Sequence, residues 1–326
     1  MLNHSCLPNR PLQGLVPGDT VTVVTGNTVN YPLPVFAAWL CGASANLLDP
    51  AVGPDILGEQ MRSLPARIVV SSPENVIRVN QVLQEVGQKA TVVVYDHTET
   101  SQIVESNESV DFSPSPSRNQ EDLALTLWSS GSTGRPKGIQ LPFRTLINSF
   151  AAHLAAPFPW SSINYLYSFW FIKPVLDYFQ RRRYASSKLL MGTWMFHIGG
   201  FFTSILNFNR STVLFIQPDK INPDLVLSKI SQYDPVQALM MSFHDIIQLS
   251  HAEPSPDLQL ESVGGVLPIG SAVPSDTQQK LQKIFPKLSV IINAYGSTEV
   301  GAGVSYSIGK EYSDNVGQLL SKNKVL

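Results

Sequence analysis

Charged residues are scarce in this chain: Asp, Glu, Lys and Arg make up 15% of its 326 residues, and the formal net charge is −2. So small a charge gives no electrostatic basis for binding nucleic acid or an anionic membrane, and no nucleic-acid partner is expected. The two cysteines, Cys6 and Cys41, are too far apart in sequence to indicate a disulfide framework. An intracellular location, cytoplasmic or peroxisomal, is therefore expected, although the final residues SKNKVL match no peroxisomal address.

Long hydrophobic runs are also missing from the sequence. The amino terminus, MLNHSCLPNRPLQG, has no apolar stretch of the kind that a secretory signal needs. The best candidate for a membrane span, residues 163–179, is interrupted by Lys173 and Asp177, so no membrane span is expected. Hydrophobic residues nevertheless reach 43%, and the length suffices for two packed α/β units.

Short β-branched runs alternate with amphipathic stretches, which predicts an α/β fold with mainly parallel sheets. Strands are predicted at residues 20–25, 45–48, 66–71, 91–95, 123–128, 211–216, 235–240, 262–267 and 288–293. Helices are predicted at residues 30–40, 55–64, 73–86 and 142–153, with others between the later strands. The polar stretch at residues 97–120 predicts a linker, so the chain is divided into two packed α/β subdomains, residues 1–118 and 119–326.

A glycine-rich segment, SSGSTGRPKG at residues 129–138, directly follows an apolar strand. Its glycines permit positive φ, and its hydroxyls and backbone N–H groups suit phosphate oxygens. The predicted phosphate-binding residues are Ser129, Ser130, Gly131, Ser132, Thr133, Gly134 and Lys137. Because Lys137 is followed by Gly138, the segment does not fit the GxxxxGK[ST] pattern of ordinary P-loops. The alternative is a solvent-exposed Ser/Gly turn, against which the preceding strand and the lysine both count.

A second polar segment, NAYGSTE at residues 293–299, is predicted to follow a strand at its carboxyl end, where open α/β sheets bind ligands. Tyr295 can stack on a purine, Gly296 lets the chain turn, and Thr298 can hydrogen-bond a phosphate. Glu299 is a hard oxygen ligand of the kind that Mg²⁺ prefers. Taken alone, such a string is most often only a loop.

Together these segments resemble the adenylate-forming superfamily, which includes acyl-CoA synthetases, 4-coumarate–CoA ligases, beetle-type luciferases and peptide-synthetase adenylation domains. Residues 128–140, WSSGSTGRPKGIQ, are similar to the signature loop that holds the β- and γ-phosphates of ATP in that family. The resemblance implies that Tyr295 packs against adenine, that Thr298 contacts the α-phosphate and that Glu299 binds Mg²⁺. Asn293 and Gly296 are placed with them among the nucleotide-binding residues.

Two weaker matches extend the resemblance. Gly270, Ser271 and Ala272 resemble the small-residue strand end that lines the adenine and acyl pocket in the family. Residues 195–200, MFHIGG, resemble a segment whose histidine borders the acid substrate, which implies a catalytic position for His197 near the carboxylate. A satisfied core histidine is the alternative for His197.

The resemblance implies an AMP-forming acid–thiol ligase that uses ATP, Mg²⁺ and coenzyme A. A small-molecule carboxylic acid would first form an acyl-adenylate, and a thiol would then displace AMP to give an acyl-CoA. Lys137, Thr298, Glu299 and His197 are the predicted catalytic residues. Luciferase-like oxidation, loading of a carrier protein, and a non-catalytic relic that binds nucleotide or a partner all stay open as alternatives.

The chain departs from the family pattern in three places. By the resemblance, it is expected to begin late, to carry an extra aromatic stretch at residues 161–183, and to end before most of the barrel, the ribose-binding Asp and the C-terminal lid domain of the family. The extra stretch is either translated non-coding sequence or a lineage-specific insertion, and the early end is also compatible with an incomplete gene prediction. Weak turnover, or none, is expected from this chain alone.

Overall fold

The computed structural model describes residues 15–28, 30–95, 119–130, 135–155, 188–207, 212–216, 221–309 and 317–319. These residues fall into two compact units. The first unit comprises residues up to Ile147 together with Met195–Ile198, and the second comprises the remainder. The division falls inside a helix, Phe143–Ala155, whereas the sequence predicts a domain boundary between residues 118 and 119. That boundary stays a prediction about domain organisation.

The first unit is built on a sheet of six strands within the described residues. The strands are β1 (Thr20–Val24), β2 (Ser44–Leu48), β3 (Ile68–Ser71), β4 (Thr91–Val94), β5 (Leu123–Ser130) and β6 (Pro136–Pro142). The helices are α1 (Pro32–Leu40), α2 (Pro54–Ser63) and α3 (Val76–Glu85), and α4 (Phe143–Ala155) begins here. The strand order is β4-β3-β1-β2-β5-β6, with every pair parallel except β5 and β6.

Both faces of this sheet are covered by apolar side chains. Every residue of β1 is buried, as expected for a parallel strand with helices on either side. On one face Val21 packs in a cluster with Ala38 of α1, and on the other face Val24 packs with Leu57 of α2 and Val79 of α3. The early strand and helix predictions are therefore confirmed, with small shifts of their ends.

The second unit is built on a sheet of seven strands within the described residues. The strands are β7 (Lys188–Gly192), β8 (Thr212–Phe215), β9 (Ala238–Ser242), β10 (Gly265–Ile269), β11 (Val290–Ser297), β12 (Ala302–Gly309) and β13 (Gln318–Leu319). The helices are α5 (Ile198–Asn207), α6 (Pro223–Gln232), α7 (Phe243–Leu249) and α8 (Ser275–Ile284). The strand order is β13-β12-β11-β10-β9-β7-β8, parallel from β8 to β11 and antiparallel from β11 to β13.

Four strands escape the sequence prediction: β6, β7, β12 and β13. The β6 segment, PKGIQLP, and the β12 segment, AGVSYSIG, are poor in β-branched residues, so pairing with a neighbouring strand fixes them rather than local propensity. The predicted insertion at residues 161–183 and the predicted linker as far as residue 118 lie outside the described residues. Over the part of the chain that the structure describes, no helix has the length and apolar character required to cross a membrane.

Candidate nucleotide-binding site

The predicted phosphate-binding segment is a strand hairpin rather than a single open loop. Ser129 and Ser130 end β5, and Lys137 and Gly138 lie near the start of β6. In the antiparallel register, Ser129 pairs with Lys137, so the lysine lies directly across from a predicted phosphate ligand. The predicted ligands at the tip, Gly131, Ser132, Thr133 and Gly134, lie outside the described residues. The expectation of a loop over the whole of residues 129–138 was wrong because β6 pairs with β5 almost to the tip.

A half-buried tryptophan, Trp128, lies at the end of this hairpin that carries Lys137. The Trp128 Nε1–H donates to Asn46 Oδ1 at 2.8 Å, and Asn46 Nδ2 donates to Thr22 Oγ1 at 3.1 Å. At its other end the Trp128 ring lies against Gly138, where an added Cβ would come within 3.3 Å of the ring. The sequence does not reveal the partner of Trp128, because Asn46 lies on a strand remote in sequence.

Lys137 is exposed, so its ammonium group is accessible to a phosphate. Next to it, Arg135 Nη1 lies 3.5 Å from Glu59 Oε1 on α2. Both members of this ion pair are exposed, so we expect it to contribute little to stability. The first unit therefore presents two cations at the end of the hairpin.

The second predicted motif is also part of a hairpin. β11 does not end at Asn293, as the sequence predicts, but continues through Tyr295 and Gly296 to Ser297, paired with β12. The register shifts between Tyr295 and Gly296, and a Cβ on Gly296 would lie 2.2 Å from the Ala302 carbonyl oxygen. Only glycine fits this close approach of two backbones. Tyr295 is 61% exposed, which leaves its ring available for stacking on a base.

Thr298 and Glu299 follow directly after β11. Thr298 is half-buried, and its carbonyl accepts a hydrogen bond from the Gly301 N–H at 3.0 Å, which closes a turn. The exposed Glu299 has its pKa lowered, first by its own backbone N–H and then by the Ser297 hydroxyl. Glu299 is therefore an ionised and accessible carboxylate at neutral pH.

This carboxylate fits the demands of Mg²⁺. The described residues contain no group of three or more His, Cys, Asp or Glu side chains that could hold a metal ion. Mg²⁺ commonly relies on one or two carboxylates together with phosphates of a substrate, so a single exposed Glu299 matches that mode.

The predicted pocket segment Gly270, Ser271 and Ala272 follows β10 as expected, and all three residues are exposed. Gly270 has φ +105°, a conformation that L side chains rarely adopt. The segment is fixed at the buried Val273, whose N–H donates to Asn293 Oδ1 at 3.2 Å.

A glutamine on α8 completes this anchor. The Val273 carbonyl accepts from Gln278 Nε2 at 2.9 Å, and Gln278 is itself 3% exposed. Asn293 Oδ1 holds the neighbouring loop, and its role as a nucleotide ligand stays a prediction. Gln278 was not predicted, and its one signal in the sequence is a polar side chain at a position that faces inward on an amphipathic helix.

His197 belongs to the first unit and lies beside Phe196, with ring centroids 4.6 Å apart. It keeps solvent-accessible surface, but desolvation by the surrounding protein lowers its pKa, while the nearby Asp49 charge opposes that lowering. The imidazole is therefore mainly neutral at neutral pH. Complete burial, and to a smaller extent the same Asp49 charge, raises the pKa of Tyr31. The sequence prediction named neither Asp49 nor Tyr31.

Two α/β units, each with a polar motif on an antiparallel hairpin, match the N-terminal domain of adenylate-forming enzymes. The model of the AMP-binding enzyme family matches residues 10–325, and the chain belongs to this family. It is 24% identical over 303 residues to 4-coumarate–CoA ligase 3 of Arabidopsis thaliana, covering 91% of this chain and 49% of that relative. The chain thus spans about half the length of this curated relative.

Two crystal structures share the fold. A benzoate CoA ligase from Burkholderia xenovorans LB400 superposes with a TM-score of 0.70 at 15% identity, over 94% of this chain and 56% of that protein. ATP-bound MatB from Rhodopseudomonas palustris superposes with a TM-score of 0.67 at 21% identity, over the same shares of the two chains. At these identities the likeness establishes the fold alone.

Proposed function

We propose that this chain binds Mg-ATP and takes part in activating a carboxylic acid as its acyl-adenylate, with coenzyme A as the acceptor of the acyl group. The observation that carries the proposal is the match to the AMP-binding enzyme family over residues 10–325. The exposed Lys137, the exposed Tyr295 ring and the ionised Glu299 supply the chemistry that a magnesium nucleotide requires.

In the proposed first step, an oxygen of the substrate carboxylate attacks the α-phosphorus of ATP and pyrophosphate leaves. This step needs positioning and charge neutralisation more than covalent catalysis. Lys137 offsets the negative charge of the departing phosphates, and the Thr298 hydroxyl donates to the α-phosphate. Glu299 would hold Mg²⁺, which would supply further positive charge to the phosphate oxygens when bound.

In the proposed second step, a thiol loses its proton to solvent and attacks the acyl carbon, a thioester forms and AMP leaves with the bonding electron pair. The names of the relatives, which are CoA ligases, support coenzyme A as the thiol. A mainly neutral His197 can hydrogen-bond the acid without adding a charge next to it.

The test is calorimetric titration of the 326-residue chain with Mg-ATP, followed by ATP–pyrophosphate exchange with a panel of carboxylic acids. We expect Mg-ATP to bind, and Lys137→Ala to weaken that binding and abolish any exchange. Lys89→Ala is the matched control, because Lys89 is an exposed lysine of the same unit that precedes β4, at the opposite edge of the sheet from β6. Full exchange or unchanged binding in Lys137→Ala would overturn the assignment.

A further inference from the structure

The β5–β6 hairpin extends beyond the part of the sheet that supports it. Among the described residues, the parallel ladder between β2 and β5 pairs Ala45 with Leu125 and Asn46 with Thr126. β5 itself continues to Ser130. From Leu127 onward, the ladder partner of β5 is β6. The end of the hairpin that carries Lys137 therefore needs a support other than the parallel ladder.

Trp128 supplies that support by spanning three adjacent strands. It belongs to β5, its indole N–H reaches Asn46 on β2, and the far edge of its ring lies against Gly138 on β6. The ring also packs against the apolar cluster that includes Leu57 and Met61 of α2. A displacement of the indole would consequently be transmitted to Gly138 and to its neighbour Lys137.

The hydrogen bond that fixes the indole is buried at its acceptor. Asn46 and Thr22 are both 0% exposed, so Asn46 is oriented by its own bond to Thr22 and cannot turn to water. Removing the indole donor would leave Asn46 Oδ1 without its partner in the core, which costs more than losing an exposed hydrogen bond. This cost makes the Trp128–Asn46 bond a strong constraint on where the hairpin lies.

We propose that Trp128 and Asn46 are positioning residues that hold the Lys137 hairpin in the conformation that binds nucleotide. They act through Gly138 and the β5–β6 ladder and need not touch the nucleotide themselves. The inference rests on the proposed function for its ligand, Mg-ATP, and on the structure alone for its mechanical part. The two parts can therefore be tested separately.

The experiment compares Trp128→Phe with Trp39→Phe. Each change keeps an aromatic ring and removes one indole donor, since the Trp39 Nε1–H donates to the Ala124 carbonyl of β5 at 2.7 Å. The Trp39 bond is made to Ala124 near the start of β5, and the Trp128 bond is made by a residue nearer its end. The control therefore removes the same kind of hydrogen bond at a different position along the strand. Thermal unfolding of both variants measures the loss of stability that each change causes.

Two readouts test the positioning role. Hydrogen exchange of the peptide covering residues 135–142 should become about fivefold faster in Trp128→Phe and stay near the wild-type rate in Trp39→Phe. The Kd for Mg-ATP, measured by calorimetry, should rise about fivefold in Trp128→Phe and less than twofold in Trp39→Phe, the scale of one lost buried hydrogen bond. Asn46→Leu should reproduce both effects, and the double variant should be no worse than either single variant.

The outcomes separate this inference from the proposed function. Unchanged exchange at residues 135–142 in Trp128→Phe would overturn the positioning role whatever the nucleotide result. Equal effects of the two tryptophan changes on Kd would reduce Trp128 to a general stabilising residue and overturn the inference as well. If the wild-type chain fails to bind Mg-ATP while the exchange result is as expected, the proposed function fails and the mechanical role of Trp128 stands.

Discussion

The two motif-bearing hairpins, β5–β6 in the first unit and β11–β12 in the second, are held by different means. The first depends on side chains, because Trp128 joins Asn46 to Gly138 across three strands. The second depends on backbone, because Gly296 lies so close to Ala302 that no side chain can be inserted. The difference predicts that the first hairpin tolerates small adjustments, whereas the second accepts almost none.

The largest effect is expected from Gly296→Ala. An added Cβ would lie 2.2 Å from the Ala302 carbonyl oxygen, and backbone atoms cannot move aside without breaking the β11–β12 ladder. We expect a loss of about 3 kcal/mol in the free energy of unfolding, at the upper end of overpacking effects. Urea unfolding measures it, with Gly53→Ala as control, since nothing lies within 4 Å of a Cβ there and its φ is −63°. Equal urea midpoints for Gly296→Ala and Gly53→Ala would contradict the interpretation that close backbone contact at Gly296 holds the second hairpin.

A smaller effect is expected from Gln278→Met, which removes the hydrogen bond to the Val273 carbonyl and nearly preserves volume. The carbonyl of a buried residue would lose a partner, so we expect a loss of about 1 kcal/mol in the free energy of unfolding. The neighbouring Gln279→Met is the control, because Gln279 is exposed on the same helix. Comparable losses in both variants would show that Gln278 does not anchor the loop.

Gly138→Ala should cost still less and therefore sharpens the contrast with Gly296→Ala. The added Cβ would meet the edge of the Trp128 ring at 3.3 Å, so the ring, although held by Asn46, would have to give by only a few tenths of an ångström, whereas at Gly296 the backbone itself would have to move. We expect a loss of about 0.5 kcal/mol, because an overpacking cost of about 1 kcal/mol is partly offset by the roughly 0.5 kcal/mol gained when alanine replaces glycine in a strand. The indole fluorescence spectrum should change as well. A loss as large as that of Gly296→Ala would remove the proposed distinction between the two hairpins.

The parts of this molecule that follow local rules were predictable from sequence. β1 and β3 are runs of β-branched residues buried on both faces, and their periodicity and length predict parallel strands. β6 and β12 were missed because their residues favour turns as much as strands, and pairing partners decide their structure. A sequence motif indicates which residues meet a ligand, but not which distant residues hold that motif in place. Asn46 belongs to the latter group, because it accepts from Trp128 on a strand that is remote in sequence. Gln278 lies only five residues after Val273, and its role as an anchor is seen from the hydrogen bond that the folded chain makes rather than from the motif.

The smallest expected effect concerns the carboxylate of the second hairpin. The pKa of Glu299 is lowered mainly by its own backbone N–H and secondarily by the Ser297 hydroxyl. Because a lowered pKa keeps the carboxylate ionised until the pH falls below it, the Mg²⁺ binding proposed for this residue should persist into acid solution. Ser297→Ala should raise the pKa only part of the way to that of an ordinary glutamate, and the acid-side loss of Mg²⁺ binding should move to a slightly higher pH.

The size of this pKa shift tests whether the backbone also dominates the electrostatics of the second hairpin. Carbon-13 NMR of the Glu299 carboxyl group during a pH titration gives its pKa directly, and Ser289→Ala serves as the control, since that hydroxyl donates to the Gly264 carbonyl instead. A full return to the ordinary glutamate pKa in Ser297→Ala would assign the whole effect to a side chain. In that case a side chain would control the predicted ligand-binding group of each hairpin: Trp128 the position of Lys137, and Ser297 the pKa of Glu299. Only the fold of the second hairpin would then depend on its backbone.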